Sequence, residues 1–259
     1  MKLRVACQLN YQSQENVPLV LVLRPQSGAG QQVLEEQFLI SPNISFTEYR
    51  DIYGNSCQRV LSPIGNLIIS STALVETSDT IDVNFLANFI PVENLPEHLL
   101  MYLLPSRYCE SDRFSYMAAE ITQYFDLGYA QVEAIRQWVR NNVEYQYGYS
   151  SSSSSACDIN QSRIGVCRDF SHLCIALCRA INIPARMVVG YLYDLKPMDL
   201  HAWFEVYLDN QWFTFDATQP FPKGNRVVLA YGRDASDVAF ATQFGNIQLL
   251  DMQVSVEAI

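Results

Sequence analysis

Apolar and polar residues alternate along most of the first ninety positions. Residues 3–11 carry an apolar side chain at every second position, and further short apolar runs follow at 17–23, 32–41 and 66–76. Turn-forming pairs such as Ser27-Gly28 and Gly54-Asn55 separate these runs. Alternation with a period of two is typical of half-buried strands. We therefore predict an N-terminal β-rich domain over residues 1–92, arranged as a β-sandwich or a barrel.

The pattern changes after a proline-marked stretch at residues 91–105, which we interpret as a linker. Val132, Ile135 and Val139 have helical spacing, and a second helix is predicted from about residue 166 to residue 181. Six consecutive serines at 150–155 predict a flexible connection between the two helices. Three strand-like segments follow, at residues 185–194, 199–208 and 211–218. Helices followed by antiparallel strands predict an α+β domain over residues 93–259.

Composition and charge exclude several classes of function. The chain has 259 residues, of which 49% are hydrophobic and 17% charged, enough for a large packed core. Its formal net charge of -10 and its scattered lysines and arginines argue against binding to nucleic acid. The longest apolar run is too short to span a membrane, and the first residues lack the apolar block of a signal peptide. We expect a cytoplasmic protein that does not bind membranes.

Three of the seven cysteines lie close together in residues 165–180, within the second predicted helix. A disulfide inside this helix is excluded, because Cys167 and Cys174 would be about 10 Å apart along the axis. The chain has no second ligand pair at the spacing of a zinc site, so we expect no metal and no cofactor. Cys174 and Cys178 lie along the edge of the apolar face of the helix, which predicts small buried hydrophobic residues. An odd number of irregularly spaced cysteines favours free thiols in a reducing compartment.

Cys167 differs from the other two because it lies in the first turn of the helix. Unpaired backbone N–H groups and the positive end of the helix dipole favour an anion there, and both stabilise the thiolate, which is the nucleophilic form. A nucleophilic thiolate also needs an imidazole and a group that orients it.

His201 and Asp216 are candidates for these two partners. They lie in consecutive strand-like segments joined by Asp209-Asn210, a pair that tolerates the left-handed geometry of a tight turn. A two-residue loop places His201 and Asp216 as diagonal neighbours on one face of the hairpin. A slip of one residue would place them on opposite faces. Taken alone, His201 is equally compatible with a buried core histidine and Asp216 with a residue that ends a strand.

Several motifs together resemble the transglutaminase-like family, whose core is a papain-like cysteine proteinase fold. The matching segments in the second half are GVCRDF, IPARMVVGY, DLHAWFEVYL and WFTFDAT; in the first half, LRP and YRDIYGN are similar to the β-rich domain of bacterial members. The family commonly has Pro-Thr-Asn after the aspartate, where this chain has Ala217, Thr218 and Gln219. No acidic cluster resembles the calcium sites of the animal enzymes. The resemblance implies an N-terminal β-sandwich or barrel-like domain followed by a papain-like core.

The same resemblance implies a catalytic triad, in which Cys167 is the nucleophile, His201 the general base and acid, and Asp216 the orienting carboxylate. The expected activity is acyl transfer on amide bonds of a protein or peptide substrate, as a protease, an amidase or a transglutaminase, with hydrolysis favoured because water needs no second binding site. A non-catalytic peptide-binding module on the same scaffold is the alternative. We expect the β-rich domain to supply no catalytic group.

Overall fold

The fold was described from a computed structural model, which covers residues 1–28 and 30–259. Within these residues the helices are α1 (Ser115–Thr122), α2 (Tyr129–Asn142), α3 (Ala156–Ser162) and α4 (Cys167–Ala180). The strands are β1 (Lys2–Ser13), β2 (Val17–Leu21), β3 (Gln31–Ser41), β4 (Phe46–Arg50), β5 (Ser56–Ser62), β6 (Gly65–Thr77), β7 (Glu144–Tyr145), β8 (Ile164–Gly165), β9 (Ala185–Leu192), β10 (His201–Leu208), β11 (Gln211–Phe215), β12 (Arg226–Gly232), β13 (Ala241–Gln243) and β14 (Ile247–Ala258).

The N-terminal half is β-rich, as the alternation predicts. Its six strands, together with β13 and β14 from the end of the chain, form two four-stranded antiparallel sheets. The strand orders are β14-β1-β6-β3 and β13-β2-β5-β4. Every second residue of β1 and β6 faces inward, and these residues share one hydrophobic cluster with the inner face of β2. Burial of one face of each sheet gives the sandwich arrangement.

The last two strands, at the C-terminal end of the chain, join the N-terminal sheets. Strand β14 pairs with β1 from Leu3 opposite Ala258 to Ser13 opposite Ile247, and β13 pairs with β2. Without β14, the twelve-residue β1 would leave its backbone groups exposed along an edge. Strands β13 and β14 therefore complete the two N-terminal sheets, although they follow the core in the sequence.

The second half is built around helix α4, which packs against the antiparallel sheet β11-β10-β9-β12. The three predicted strands are present as β9, β10 and β11. Ala202, Phe204 and Val206 face the helix side of the sheet and belong to the same hydrophobic cluster as Leu173 and Leu177. We expected an apolar stripe on α4, but almost the whole helix is buried. The reason is that α1, α2 and α3 cover the side that the sheet does not.

The predicted linker folds into short 3-10 turns at Val92–Asn94 and Glu97–Tyr102. Leu95, Leu99 and Tyr102 form a small cluster that packs against Trp212 of the core sheet. Within the described part of the chain, no helix is long and apolar enough to cross a membrane.

Candidate active site

Cys167 is the first residue of α4, and the local sequence fixes its position. The backbone N–H of Val166 donates to Oδ2 of Asp169 at 2.9 Å, so the Asp169 side chain caps the helix. Gly165 makes this possible, because a Cβ at that position would lie 2.8 Å from Cβ of Asp169. The parallel pairing of β7 with β8 places Tyr145 opposite Gly165. The half-buried thiol therefore lies at the positive end of a helix that is buried over residues 169–179.

The hairpin of β10 and β11 has the register predicted from the sequence. Leu208 lies opposite Gln211, and both turn residues, Asp209 and Asn210, have positive φ angles of 47° and 62°. This turn conformation matches the twist of the strands that it joins. His201 and Asp216 therefore lie on one face, with Nε2 of His201 2.7 Å from Oδ2 of Asp216.

Asp216 is almost fully buried and has a partner for each carboxylate oxygen. Oδ2 also accepts a hydrogen bond from Nη2 of Arg226 at 2.9 Å. Oδ1 accepts from the backbone N–H of Thr218 at 2.9 Å and from its hydroxyl at 2.7 Å. Burial alone would raise the pKa of this carboxyl, but His201, Arg226 and Thr218 together hold the pKa of Asp216 well below its usual range. Asp216 is therefore a permanent carboxylate at neutral pH.

His201 is 2% exposed, and its environment favours the imidazolium. Burial lowers the pKa of His201, but the carboxylate of Asp216 and the Cys167 side chain outweigh it and raise the pKa to about 9. Nε2 donates to Asp216, which leaves Nδ1 for another group. Nδ1 is buried and has no hydrogen-bond partner of normal geometry among the described residues. Cys167 and His201 line the same cavity, and the Cys167 side chain is one of the groups that raise the pKa of His201.

Two arginines of α2 fix the turn that follows Asp216. Nη1 of Arg136 donates to the carbonyl oxygen of Gln219 at 3.0 Å, and Nη1 of Arg140 donates to that of Thr218 at 2.7 Å. Arg136 and Arg140 lie one helical turn apart, so both guanidinium groups reach the same segment. The replacement of the family's Pro-Thr-Asn by Ala-Thr-Gln retains Thr218, which is the residue that contacts Asp216.

Tyr145 lies on the other side of the nucleophile. Burial of its hydroxyl raises the pKa of Tyr145, and the Cys167 thiol and Tyr147 raise it further, whereas a hydrogen bond with the Cys167 backbone lowers it. The rest of the ring is partly exposed. Tyr145 consequently remains an O–H donor near the start of α4 at neutral pH.

A crystal structure of a protein from Cytophaga hutchinsonii, described as a candidate cysteine protease, superposes on this chain with a TM-score of 0.93. The two sequences are 36% identical, and the match covers 99% of this chain and 90% of the other. The chain belongs to the transglutaminase-like superfamily. The family description "Transglutaminase-like superfamily" matches residues 115–217, and "Bacterial transglutaminase, N-terminal domain" matches residues 1–98. An uncharacterised protein of Mycobacterium leprae is 26% identical over 235 residues, covering 84% of this chain and 82% of that protein.

Membership of the transglutaminase-like superfamily associates this core with cysteine-based catalysis. All seven cysteines are free. Cys174 and Cys178 are fully buried, and burial raises the pKa of both thiols well above the ordinary value. No group of three or more histidine, cysteine or acidic residues suited to a metal ion occurs in the described residues.

Arg168 and Asp169 directly follow Cys167, and both are structural elements of this transglutaminase-like site. Nη2 of Arg168 donates to Oδ1 of Asp169 at 2.9 Å. The same nitrogen donates to the hydroxyl of Ser150 at 2.7 Å and to the carbonyl oxygen of Ser151 at 2.6 Å. Arg168 thereby connects the polyserine segment to the start of α4.

The sequence analysis did not identify Arg226 or Tyr145 as site residues. Arg226 lies in a strand that was not assigned, and its guanidinium stacks over Trp203 at 4.8 Å while it pairs with Asp216. A single arginine in an apolar strand has no spacing that points to a distant partner. Tyr145 alternates with Tyr147 and Tyr149 along the sequence, and only the pairing of β7 with β8 distinguishes it from the other two.

Proposed function

We propose that this protein is a thiol enzyme of acyl transfer, in which Cys167 is the nucleophile, His201 the general base and acid, and Asp216 the orienting carboxylate. The observation that carries the proposal is the 2.7 Å contact between His201 and Asp216 beside a cysteine at the N-terminus of a buried helix. A low-pKa carboxylate fixes the tautomer and orientation of the imidazole, and the helix terminus favours the thiolate.

The proposed reaction begins with the thiolate of Cys167 attacking the carbonyl carbon of an amide. The carbonyl electron pair moves to oxygen, and the tetrahedral intermediate collapses as the C–N bond breaks. The imidazolium of His201 gives its proton to the departing nitrogen, which leaves a thioester on Cys167. Water then attacks the thioester carbonyl, and His201 takes the proton from the attacking oxygen. The second tetrahedral intermediate collapses as the C–S bond breaks, which releases the carboxylic acid and restores the Cys167 thiolate and the His201 imidazolium. An amine in place of the water gives the transferase outcome.

Two donors are suited to the negative oxygen of the intermediate. The backbone N–H of Cys167 lies at the helix start, where intrahelical acceptors are lacking. The hydroxyl of Tyr145 is the second donor in this proposal, because the pairing of β7 with β8 places Tyr145 beside the residues that lead into α4.

The proposed substrate is an amide of a protein or peptide. Hydrolysis is favoured over amine transfer because water needs no second binding site. The mechanism uses only groups of this chain. We also propose a reducing cytoplasmic location, which the free state of all seven cysteines supports.

Incubation with an amide-containing peptide library, scored for ammonia release and for chain cleavage, tests this function. Ammonia release indicates amidase activity on side-chain amides, and new termini indicate proteolysis. Addition of a labelled primary amine reveals transfer. The Cys167→Ala variant should abolish every product. A folded wild-type protein that binds peptides but yields no product would instead support the non-catalytic binding module.

A further inference from the structure

A cavity of about 330 Å³ lies beside Cys167 and His201, and most of its lining is apolar. Its apolar lining residues are Met187, Val189, Leu200, Ala202, Leu229, Ala235, Val238, Ala239, Phe240 and Met252. Their positions divide between the core sheet, the segment that follows β12, and strand β14 of the N-terminal sandwich. The cavity therefore lies where the two halves of the protein meet. None of its lining residues, as far as the chain is described, precedes Pro91.

The segment after β12 forms one wall, and hydrogen bonds fix it in place. Fully buried Asp234 accepts from the backbone N–H of Tyr108 at 2.8 Å and from that of Ser236 at 2.9 Å. The backbone N–H of Ala235 donates to Nε2 of His172 at 3.1 Å. The carbonyl oxygen of Phe240 accepts from the backbone of Val22 at 3.0 Å. The wall is thus held before any ligand arrives, which lowers the entropic cost of binding.

The lining also contains Arg168, which is paired, and Asp199, which has no ion-pair partner among the described residues. Arg168 pairs with Asp169 and the polyserine segment. The Asp199 carboxylate accepts the backbone N–H of Leu200 at 2.7 Å, and burial raises the pKa of Asp199. An acidic side chain entering the cavity would lose its water without gaining a free cation, because Arg168 is already paired, and the Asp199 carboxylate would repel it. An apolar side chain loses nothing and buries surface.

The volume limits which apolar group fits. An apolar cavity of about 150 Å³ is enough for a benzene molecule, so this one accommodates a phenylalanine or leucine side chain. The acyl part of a glutamine γ-amide presents only two methylene groups, each about the size of a water molecule, at roughly 30 Å³. A glutamine donor would leave most of the cavity unfilled.

We propose that this cavity binds a large apolar side chain next to the amide that Cys167 attacks, so that the substrate class is peptides with phenylalanine, leucine or a similar residue on the acyl side. This inference rests on the proposed thiol acyl-transfer function. Burial of such a side chain should favour these substrates over alanine by about 10- to 100-fold in kcat/KM.

The test uses p-nitrophenyl esters of N-acetyl-phenylalanine, N-acetyl-leucine, N-acetyl-alanine and N-acetyl-serine, because an activated ester acylates a thiol even when amides react slowly. Release of p-nitrophenol and mass spectrometry of the Cys167 peptide give the acylation rate, with Cys167→Ala as the background. We expect the phenylalanine and leucine esters to react about 10- to 100-fold faster than the alanine and serine esters. A glutamine-containing peptide added as a competitor should not slow the release of p-nitrophenol from the phenylalanine ester.

A substitution that fills the cavity provides a second test. Ala239→Phe should remove the preference, so that the ratio of the phenylalanine ester rate to the alanine ester rate falls at least tenfold. Ala258→Phe is the matched control, because Ala258 is exposed on β14 and does not line the cavity. If Ala239→Phe does not fold, Ala239→Leu provides a smaller filling group, and the wild-type ester series stands by itself.

The outcomes separate this inference from the function on which it rests. Absence of Cys167-dependent acylation with every ester overturns the proposed function and the inference with it. Cys167-dependent acylation without a preference for large apolar side chains, or with a preference for the glutamine peptide, overturns the cavity assignment alone.

Discussion

His201 and Asp216 are joined by a 2.7 Å hydrogen bond between two side chains that are 2% and 6% exposed. The bond crosses a hairpin in which a shift of one residue would separate the two groups to opposite faces. The arrangement keeps Asp216 ionised and raises the pKa of His201 to about 9. The imidazolium is therefore the main form of His201 at neutral pH.

This pair makes the stability of the protein depend on pH. The ordinary pKa of His201, 6.5, applies to the unfolded chain, and the folded value is about 9. Protonated His201 therefore stabilises the fold fully below pH 6.5, and this contribution is lost as the pH rises through 9. Its size is about 3 kcal/mol. The free energy of unfolding, measured with urea, should exceed that of His201→Gln by a margin that shrinks between pH 6 and pH 9.5.

The matched control for this pH effect is His98→Gln, because His98 is exposed. Its unfolding free energy should follow that of the wild type over the whole range. A constant difference between wild type and His201→Gln from pH 6 to pH 9.5 would contradict the coupling of His201 to Asp216.

Arg226 is predicted to stabilise the buried carboxylate of Asp216. Arg226→Met removes one of the two cations in contact with Asp216 and leaves that buried charge partly unpaired. Loss of one partner from a buried ion pair costs about 3–5 kcal/mol. Urea unfolding at pH 7 should show a loss of this size, whereas Arg59→Met, at an exposed position on β5, should change the stability little. Equal stability of the two variants would show that Asp216 does not depend on Arg226.

Tyr145 is predicted to donate to the developing oxyanion. Tyr145→Phe removes only the hydroxyl, so the fold should be unchanged, and kcat should fall on the order of 100-fold because one oxyanion donor is lost. KM should change much less. Tyr149→Phe is the control, since Tyr149 is an exposed tyrosine four residues further on. A kcat for Tyr145→Phe close to that of Tyr149→Phe would exclude the hydroxyl from the reaction.

Short-range sequence patterns were enough to predict individual strands, the start of a helix and the register of one hairpin. The period-two alternation of β1 and β6, the start of α4 at Cys167 and the register set by Asp209-Asn210 all follow from short-range rules. The register of the β10–β11 hairpin alone is enough to predict that His201 and Asp216 lie together on one face.

The remaining features depend on contacts between distant segments, which a single sequence does not encode in its spacing. The pairing of β14 with β1 joins the two ends of the chain. Residues 169–179 of α4 are buried because three other helices cover the side that the sheet leaves open, so the apolar stripe predicted only one of its packed sides. Arg226 reaches Asp216 from β12, at the opposite edge of the sheet from β11. The boundary proposed at residues 92 and 93 stays a prediction.

The rate of alkylation of Cys167 tests the central assignment most directly. Under a limiting dose of iodoacetamide at pH 7, mass spectrometry of the folded protein should show Cys167 labelled first, with Cys174 and Cys178 unlabelled because burial raises their pKa values. His201→Ala should slow the labelling of Cys167, since the thiolate loses its imidazolium partner, and Asp216→Ala should slow it less. Labelling of Cys174 or Cys178 ahead of Cys167, or an unchanged rate at Cys167 in His201→Ala, would contradict the assignment of Cys167 as the nucleophile.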